Sequence, residues 1–494
     1  MDVTRKVDCD VLVVGGGNAG LVASLEAHSR GANVLLMEKA PKKARGGNSR
    51  FSGGLFRIAY PRGTEDFVPL VRGMKLPKGE LEIEPYTKDD FYNKVMNLSE
   101  GLSDKRATEI FVENSLETVI WMKEQGLNWD LFWDFMIKKE DRLFFPNTTT
   151  VLQALGLGEG LVEMLYGIVE KRGIKVLYET AATSLIMNEA GAVCGVMAKD
   201  VDGLFRVNAK SVILTCGGFQ ASPEWRRRCL GENWDLVKLR GTRYDTGDGL
   251  KMALEIGAAT VGHWGGCHAS IVSEDSPMIE AASANSERYC YHLGILVNRK
   301  GERFVDEGED FMPYTYAKFG KEILKQPGSV AFQIFDGKII PRLRPAYQNA
   351  IHVENDSLEG LAEDLDIHIE KFMATIKQFN EAIINDEAPF VPFRLDGRRT
   401  RGLNPDKTNW AQKVDKPPYR AFAVVCGLTM TYGGLKTNER AQVIDTSDRA
   451  IPGFYAVGEI TGGFFYHNYP VGTGLVRGAV MGRIAAAEAV ANTK

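Results

Sequence analysis

Cysteine is scarce in this sequence, and no two cysteines are spaced as a motif. The seven cysteines of the 494-residue chain lie far apart, with no CxxC pair and no CxxCH haem-attachment signal. Isolated cysteines of this kind are typical of reduced thiols in the cytoplasm. They predict neither a disulfide framework nor a metal, haem or iron–sulfur centre on this chain.

Long apolar runs and a surplus of basic residues are missing as well. No run approaches the roughly 20 residues of a membrane-spanning helix. The N-terminal residues pass from a charged stretch into an apolar strand, without room for the apolar region of a signal peptide. The net charge of -4 lacks the positive excess that attracts nucleic acid or anionic lipid. We therefore expect a cytoplasmic protein that has no membrane span and binds no nucleic acid.

The sequence does contain a regular alternation of strand-like and helical segments. A chain of 494 residues exceeds what one hydrophobic core usually organises, so two domains are expected. Apolar, β-branched runs typical of buried strands alternate with helical stretches. They occupy residues 9–14, 20–29, 33–37, 161–172, 175–178 and 211–215. This alternation predicts an α/β domain with a parallel sheet.

The alternation stops near Trp264, where glycine-rich and aromatic segments begin. Toward the C-terminus an apolar run at residues 453–457 precedes an Ala-rich helix at residues 476–491. This pattern predicts that the chain returns to the sheet of the first domain. We therefore predict an inserted second domain. The predicted domains are an α/β domain of residues 1–262 and 421–494 and an α+β domain of residues 263–420.

A glycine-rich turn follows the first predicted strand. The sequence Gly15-Gly16-Gly17-Asn18-Ala19-Gly20 joins that strand to a helix. Gly15 permits the tight turn, Gly17 lets backbone amides approach a pyrophosphate, and Gly20 allows the helix to pack closely. The second predicted strand ends in Glu38, where an acidic side chain binds the ribose hydroxyls of a dinucleotide. These residues predict a Rossmann-type site that fits NAD and FAD equally well.

A second group of motifs resembles one superfamily of flavoproteins. Arg45-Gly46-Gly47-Asn48-Ser49, followed by Ser52-Gly53-Gly54, is similar to the second flavin-binding stretch of the fumarate reductase and succinate dehydrogenase flavoprotein superfamily. Further matches follow in the superfamily's order at residues 215–219, 246–249, 297–307 and 455–459. The resemblance covers nearly the whole chain. It implies a Rossmann-type FAD-binding domain with an inserted α+β capping domain for the substrate, and flavin N5 as the hydride acceptor.

The resemblance also implies how FAD is held. Superfamily members that bind FAD covalently have a histidine ahead of the glycine pair that matches Gly53-Gly54, and Gly47 stands there in this sequence. We therefore expect noncovalent FAD. Carried over residue by residue, the implied cofactor contacts are Gly15, Gly17, Ala19, Gly20, Glu38, Lys39, Gly46, Gly47, Asn48, Ser49, Gly53, Gly54, Ala182, Cys216, Gly217, Gly218, Gly247, Asp248, Tyr432, Gly458, Glu459, Gly474 and Leu475.

Two arginines of the fumarate-reducing members are replaced in this chain. Phe311 aligns with the arginine that delivers a proton, and Tyr469 aligns with the arginine that holds a carboxylate. Residues 306–317, 400–411 and 465–475 look most like tricarballylate dehydrogenases, and the Tyr-Pro loop is also similar to that of 3-ketosteroid dehydrogenases. Those relatives oxidise a saturated carbon–carbon bond beside a carbonyl or carboxylate.

Two departures bear on the substrate. Met312 and Val471 stand where tricarballylate dehydrogenases are expected to have an arginine and a glycine. The loss of a cationic side chain favours a ketone or monocarboxylate over a tricarboxylate.

Tyrosines are the candidate catalytic groups. Desaturation needs a polarised carbonyl, a base for the adjacent proton and alignment of the neighbouring hydride with flavin N5. By resemblance to the ketosteroid loop, Tyr469, together with the backbone amide of Thr473, would hydrogen-bond the carbonyl oxygen. Tyr314 or Tyr316 would be the base. A phenol has an unperturbed pKa near ~10, so this base needs a cationic or hydrogen-bonding neighbour.

Three further side chains are candidates for substrate contact. His268 matches the superfamily histidine that contacts the substrate carboxylate, although a lone histidine is as often structural. His467 lies beside the Tyr-Pro loop. Arg401 is a candidate for binding an anionic substrate or, alternatively, part of a solvated basic turn.

The sequence thus predicts an FAD-dependent dehydrogenase, or desaturase, which oxidises a CH–CH bond next to the carbonyl or carboxylate of a small carboxylate or cyclic ketone. One alternative is an ene reductase of fumarate reductase type. Another is the flavin subunit of an electron-transfer complex with an iron–sulfur membrane partner. The electron acceptor stays open among oxygen, a quinone and an iron–sulfur partner.

Overall fold

The chain folds into two compact units. The computed structural model describes residues 5–71, 80–139, 141–281, 286–392 and 394–493. Unit 1 comprises the described residues of 1–235, 241–267 and 430–494, and unit 2 those of 236–240 and 268–429. None of the helices in these described ranges is both long and apolar enough to cross a membrane.

The secondary structure of the described residues is as follows. The strands are β1 Lys6–Val14, β2 Val34–Met37, β3 Leu55–Phe56, β4 Glu80–Ile83, β5 Trp129–Leu131, β6 Ile137–Lys139, β7 Arg142–Phe145, β8 Leu152–Ala154, β9 Lys175–Leu177, β10 Ala181–Met187, β11 Val193–Asp200, β12 Gly203–Leu214, β13 Lys238–Leu239, β14 Thr260–Val261, β15 Cys267–Ser273, β16 Ile295–Asn298, β17 Val330–Phe335, β18 Val353–Asn355, β19 Ile383–Ile384, β20 Arg399–Thr400, β21 Tyr419–Thr431, β22 Gly434–Leu435, β23 Gln442–Ile444 and β24 Ala450–Ala456. The helices are α1 Asn18–Ser29, α2 Gly47–Arg50, α3 Thr64–Val71, α4 Lys88–Leu98, α5 Lys105–Glu113, α6 Ser115–Gln125, α7 Leu157–Lys171, α8 Pro223–Leu230, α9 Asp248–Glu255, α10 Phe319–Leu324, α11 Leu358–Asp364, α12 Ile369–Ala382 and α13 Thr473–Ala491.

Parallel strands form the centre of unit 1. β1 pairs with both β2 and β12, so that Val11 lies opposite Val34 on one side and Ser211 on the other. β9 continues the sheet beyond β2, and β24 pairs with the end of β12, again in parallel. Residues 11–14 of β1 and the whole of β2 are apolar and buried, which suits a sheet that is covered on both faces. The parallel α/β sheet predicted from the alternation is confirmed.

The rest of this sheet is antiparallel, which the alternation did not predict. β10, β11 and the first half of β12 pair as a meander, and β23 pairs antiparallel with β24. Along β10 only Ala182 and Leu185 are buried, and the other residues are partly or fully exposed. A half-exposed strand of this kind lacks the continuous apolar run by which the parallel strands were recognised. The sheet is therefore mixed.

Two helices of unit 1 pack closely through small residues. α1 is buried along most of its length, and α13 presents Gly478 and Gly482 to its first turn. A Cβ atom added at Gly482 would lie 2.8 Å from the carbonyl oxygen of Ala19. The backbones of the two helices therefore approach each other at a distance that only glycine permits.

Unit 2 is an α+β arrangement. Its six-stranded sheet has the order β13-β21-β17-β16, and β15 and β18 also pair with β21. Helices α11 and α12 contribute Leu361, Phe372 and Ile376 to one apolar core with Phe332 and Ile334 of β17. The short segment Lys238–Leu239 enters this unit because it pairs in parallel with β21, a feature for which its sequence carries no signal.

The close approach of α1 and α13 makes a stability prediction. We expect Gly482→Ala to lower the free energy of unfolding by about 1–3 kcal/mol, the usual effect of overpacking. The matched control is Gly167→Ala in α7, where an added Cβ meets nothing within 4 Å. That change should stabilise the protein by roughly 0.5–1 kcal/mol, because alanine loses less backbone entropy on folding. Urea denaturation measures both, and equal effects of the two changes would contradict this packing.

Candidate functional site

The glycine-rich loops of unit 1 gather at one edge of its sheet. Gly15 follows β1, Glu38 follows β2, Thr215 follows β12 and Val457 follows β24. Because these strands are parallel and adjacent, their carboxyl ends lie side by side. Open α/β sheets bind their ligands at this edge.

The first turn brings backbone against backbone. Gly15 has a φ of 112°, and a Cβ atom there would lie 2.5 Å from the carbonyl oxygen of Thr215. A Cβ atom at Gly20 would lie 2.0 Å from the carbonyl oxygen of Gly15. Neither position has room for a side chain, so the turn and the helix behind it can only be built with glycine.

Gly17 borders an open space at the start of α1. No side chain caps this helix, and an added Cβ at Gly17 would meet only Ser49 Oγ at 3.5 Å and the Gly46 carbonyl oxygen at 3.7 Å. At Gly47 the nearest atom is Gly17 Cα at 3.8 Å. The gap is therefore lined by backbone at a helix N-terminus, where free N–H groups and the helix dipole favour an anion such as a pyrophosphate.

Asn18 joins this gap to two other predicted segments. Its backbone N–H donates to Ser49 Oγ at 3.0 Å, and its side-chain Nδ2 donates to the carbonyl oxygen of Leu475 at 2.9 Å. Asn48 in turn accepts a hydrogen bond from the backbone N–H of Thr242 at 2.9 Å. The structure thus brings the first turn, the second glycine segment and the start of α13 together.

Glu38 is buried and bound to the turn itself. Its carboxylate accepts hydrogen bonds from the backbone N–H of Gly16 at 3.0 Å and of Ala40 at 2.8 Å. Burial raises the pKa of Glu38, and these amides oppose that shift. Lys39 beside it donates to Asp248 Oδ2 at 2.6 Å and to Thr246 Oγ1 at 2.8 Å. Binding of a ribose by Glu38 stays a prediction.

The remaining glycines of the second glycine-rich segment also lie where backbone atoms are closely packed. Gly46 and Gly54 have φ values of 109° and 65°, and a Cβ at Gly54 would lie 2.6 Å from the carbonyl carbon of Leu157. Gly53 immediately precedes this turn. Ala182 lies in β10 at the edge of the mixed sheet.

A buried acidic pair lies next to the loop after β12. Gln220 Nε2 donates to Asp245 Oδ2 at 2.8 Å and to Glu459 Oε2 at 3.4 Å. Burial raises the pKa of both carboxyl groups, and Glu459 raises that of Asp245 further. A Cβ at Gly217 would lie 2.6 Å from Asp245, and one at Gly218 would lie 2.5 Å from Glu459.

Two further residues, Cys216 and Gly247, lie at the loop after β12. Burial raises the pKa of the Cys216 thiol to about 12, so Cys216 is a neutral packing residue. Gly247, with a φ of 82°, precedes α9 and donates its N–H to the Gly218 carbonyl at 3.1 Å.

Aromatic side chains surround Tyr469 in unit 1. The Phe465 ring lies 5.0 Å from the Tyr469 ring and 6.0 Å from the Tyr432 ring. The Tyr469 hydroxyl accepts a hydrogen bond from the backbone N–H of Gly474 at 2.8 Å. The amide of Thr473, which we expected to assist Tyr469, donates instead to the Pro470 carbonyl at 3.3 Å. The amide that meets Tyr469 is therefore one residue further along the chain than expected.

His467 belongs to the same loop but points to another partner. Its backbone N–H donates to His263 Nδ1 at 3.3 Å, and the two imidazole rings lie 4.8 Å apart. Its φ of 57° places it in the left-handed region. His467 and His263 thus pair beside the Tyr469 loop.

In unit 2 a polar cluster forms around His268. Ser270 Oγ lies 3.2 Å from His268 Nδ1, and the Tyr316 ring packs edge-on against the imidazole at 4.8 Å. Tyr289 packs against Tyr316 at 5.2 Å. Burial, with a further contribution from Arg240, holds the pKa of His268 well below its usual range. His268 is therefore neutral, and it can offer a hydrogen bond but no positive charge.

Arg240 supplies a buried cation to this cluster. Its guanidinium pairs with Glu287 at 2.9 Å and donates to Thr429 Oγ1 at 3.1 Å. Its charge also interacts with Tyr289 and Tyr316. Arg240 is distant from its partners in the sequence, so only the tertiary structure shows that these residues interact.

Other candidates of the sequence analysis lie outside these clusters. The Arg401 side chain is exposed, and among the described residues no hydrogen bond or ion pair links it to the His268 cluster. The backbone N–H of Tyr314 donates to Phe311, whose ring packs against Trp410 at 5.9 Å. Tyr314 is fully buried in this turn.

The edge of unit 1 has unused polar atoms that suit a large polar ligand. Among the buried side-chain atoms that have no hydrogen-bond partner in the described residues, four belong to the segments described above: Asn18 Oδ1, Gln220 Oε1, Tyr432 Oη and Thr473 Oγ1. Buried polar groups are rarely left unpaired in native proteins. A dinucleotide with phosphate, hydroxyl and ring carbonyl groups fits both these atoms and the open space at Gly17.

Comparisons with known proteins identify similar proteins over most of this chain. The Probable fumarate reductase Ifc3 of Shewanella frigidimarina is 28% identical over 482 residues, covering 96% of this chain and 74% of that protein. The open conformation of a flavocytochrome c3 fumarate reductase is 26% identical, with a TM-score of 0.73, and the match covers 99% of this chain and 79% of that one. A 3-ketosteroid delta1-dehydrogenase from Sterolibacterium denitrificans shares the fold, with a TM-score of 0.75 at 21% identity over 98% of this chain and 99% of that one.

The family profile described as FAD binding domain matches residues 10–475. This match confirms the FAD cofactor and the oxidoreductase class predicted from the motifs. The chain belongs to the FAD binding domain family of flavoproteins.

Proposed function

We propose that this protein is an FAD-dependent oxidoreductase that removes two hydrogens from a CH–CH bond beside the carbonyl of a small carboxylate or cyclic ketone. The observation that carries the proposal is the environment of Tyr469. This tyrosine replaces an arginine of the fumarate-reducing relatives, and its hydroxyl is held by the Gly474 amide at the start of α13. A phenol in this place can hydrogen-bond a carbonyl oxygen, whereas it lacks the charge to hold a carboxylate.

Unit 1 is the proposed FAD-binding domain. The backbone around Gly17 and Gly47 binds the pyrophosphate, and Glu38 holds the adenosine ribose. The other residues that the resemblance implies as cofactor contacts are proposed to line the remaining parts of FAD. Gly47 at the place of the linking histidine makes the binding noncovalent. Bound FAD supplies a two-electron acceptor for the hydride that leaves the substrate.

Unit 2 is the proposed substrate domain, which corresponds to the insertion expected at residues 263–420. Neutral His268 donates a hydrogen bond to a substrate oxygen. Tyr316 is the better candidate than Tyr314 for the base, because the charge of Arg240 favours the ionised form of Tyr316. His467 and Arg401 remain candidates for secondary contacts.

The ene reductase is the second candidate function. The similarity to the fumarate reductases supports it, since one such protein is 28% identical over most of this chain. Phe311 and Tyr469 at the two arginine positions disfavour it. The electron acceptor is proposed to be oxygen, a quinone or an iron–sulfur partner, and the location is proposed to be the cytoplasm.

The open space at Gly17 makes a test of the cofactor site possible. Gly17 has a φ of -76°, which any residue adopts, so Gly17→Val should fold normally and place its side chain where the pyrophosphate binds. We expect at least about tenfold weaker FAD binding, or ~1.4 kcal/mol, by titration of the flavin-free protein. Gly167→Ala serves as the control with unchanged affinity. Wild-type affinity in Gly17→Val would show that the pyrophosphate binds elsewhere.

The direction of the reaction is tested under anaerobic conditions. The oxidised protein is mixed with tricarballylate, succinate, 4-oxocyclohexanecarboxylate or a 3-ketosteroid, and the flavin band near ~450 nm is followed. We expect bleaching by a ketone, because Tyr469 suits a carbonyl oxygen. The pre-reduced protein is mixed with unsaturated acids in parallel. Rapid reoxidation there, with no bleaching by any saturated compound, would make the protein a reductase.

A further inference from the structure

A buried arginine lies beside Tyr469. Arg477 is in the second turn of α13 and only 3% exposed. Its Nη2 donates to the Gly458 carbonyl at 2.7 Å, and its Nη1 lies 3.4 Å from the carbonyl and hydroxyl oxygens of Thr461. All these partners are neutral oxygens, so the positive charge is hydrogen-bonded but is not cancelled by a carboxylate in contact.

Arg477 and Tyr469 pack on the same ring. The Arg477 guanidinium carbon lies 5.2 Å from the Phe465 ring centroid, and the Tyr469 ring lies 5.0 Å from it. Burial lowers the pKa of Arg477 to about 10, and the negative charges of Glu459 and of ionised Tyr469 oppose that shift. Arginine stays protonated at neutral pH. The interaction is mutual, so Arg477 stabilises the ionised form of Tyr469.

Glu459 also interacts with the positive charge of Arg477. Burial raises the pKa of its carboxyl group, and it shares the Gln220 amide with Asp245. Two carboxylates held by one amide in a buried site disfavour double ionisation. The charge of Arg477 therefore acts on both Glu459 and Tyr469.

The Tyr469 oxygen receives a second stabilising contact. The Gly474 N–H that donates to it belongs to the first turn of the 19-residue helix α13. A donor to the oxygen and the positive end of a helix both favour a phenolate over a phenol. The amide and the arginine thus act in the same direction.

We propose that Arg477 is a positioning residue that makes the Tyr469 hydroxyl a stronger proton donor toward the carbonyl oxygen of the substrate. This inference rests on the proposed function and goes beyond it by assigning the residue that tunes its central tyrosine. The sequence presents Arg477 as one charge within an apolar, Ala-rich helix.

The proton balance follows directly. As the base removes the proton from the carbon next to the carbonyl, the Tyr469 O–H bond breaks and an O–H bond forms on the carbonyl oxygen, giving an enol. When the hydride leaves the neighbouring carbon for FAD, the enol proton returns to the Tyr469 oxygen and the carbonyl is restored. The product has lost one proton to the base and one hydride to FAD.

Other titratable groups face this cluster and must be considered in any titration. They come from the Tyr469 loop, the Gly458 turn, the residues after β21 and the 263–267 segment, and they are His467, Tyr466, Glu459, Tyr432, His263 and Cys267. A second buried cation, Arg57, donates its Nε–H to the Val471 carbonyl of the Tyr469 loop at 3.0 Å. Tyr432 is buried, and its pKa is raised well above the usual range by that burial.

The test is a titration of Tyr469 in the full-length protein. Tyrosine labelled with ¹³C at Cζ reports phenol and phenolate by NMR, and Tyr469→Phe identifies the resonance. We expect Arg477→Met to raise the pKa of Tyr469 by about one unit or more, as loss of a nearby opposite charge does. Arg477→Lys should restore most of the shift. Arg483→Met, on the same helix but paired with Glu26 and Glu117, is the matched control with no shift.

Turnover gives a second readout. Donation needs protonated Tyr469, so activity is lost as pH rises through its pKa, and Arg477→Met should move this alkaline limb to higher pH. An unmoved Tyr469 resonance in a folded Arg477→Met protein would overturn the inference. So would an alkaline limb that disappears in Tyr316→Phe and persists in Tyr469→Phe. Because the NMR titration needs no substrate, it decides the role of Arg477 even if no compound bleaches the flavin.

Discussion

The contact on which unit 1 depends is the approach of backbone to backbone at the turn between β1 and α1. The carbonyl oxygens of Thr215 and Gly15 lie where the side chains of Gly15 and Gly20 would be. This contact seats the N-terminus of α1 directly on the carboxyl edge of the parallel strands. The open space beside Gly17, the position of Ser49 and the docking of α13 all follow from it.

Burial of charge is the second constraint on this unit. Asp245, Glu459 and Arg477, which lie in two loops and in α13, are brought together near one edge of the sheet. Buried charges are costly unless they are hydrogen-bonded or lose their charge. Here Gln220 and backbone carbonyls supply the hydrogen bonds, and the raised pKa values of the two acids reduce the negative charge. The result is a buried cation that is hydrogen-bonded to neutral oxygens and interacts with the charges of Glu459 and of ionised Tyr469.

The two units place their candidate groups in similar electrostatic settings. In unit 1 Tyr469 has Arg477 nearby, and in unit 2 Tyr316 and Tyr289 have Arg240. The sequence analysis required a cationic or hydrogen-bonding neighbour for a tyrosine base but named none. The sequence analysis identified neither arginine, because a charged residue can be assigned a role from sequence only when it belongs to a motif. Neither residue stands in one.

The sequence by itself determined the parallel strands and the glycine turn, because these depend on local patterns, and its ordered motifs implied the superfamily and the cofactor by resemblance. An apolar run reads as a buried strand, and glycine is required wherever backbone approaches backbone. The half-exposed strand β10, the entry of Lys238–Leu239 into unit 2 and the amide of Gly474 as the partner of Tyr469 were decided only by the tertiary structure. Each depends on contacts between residues distant in the chain, and the field of a buried arginine acts through space rather than along the sequence.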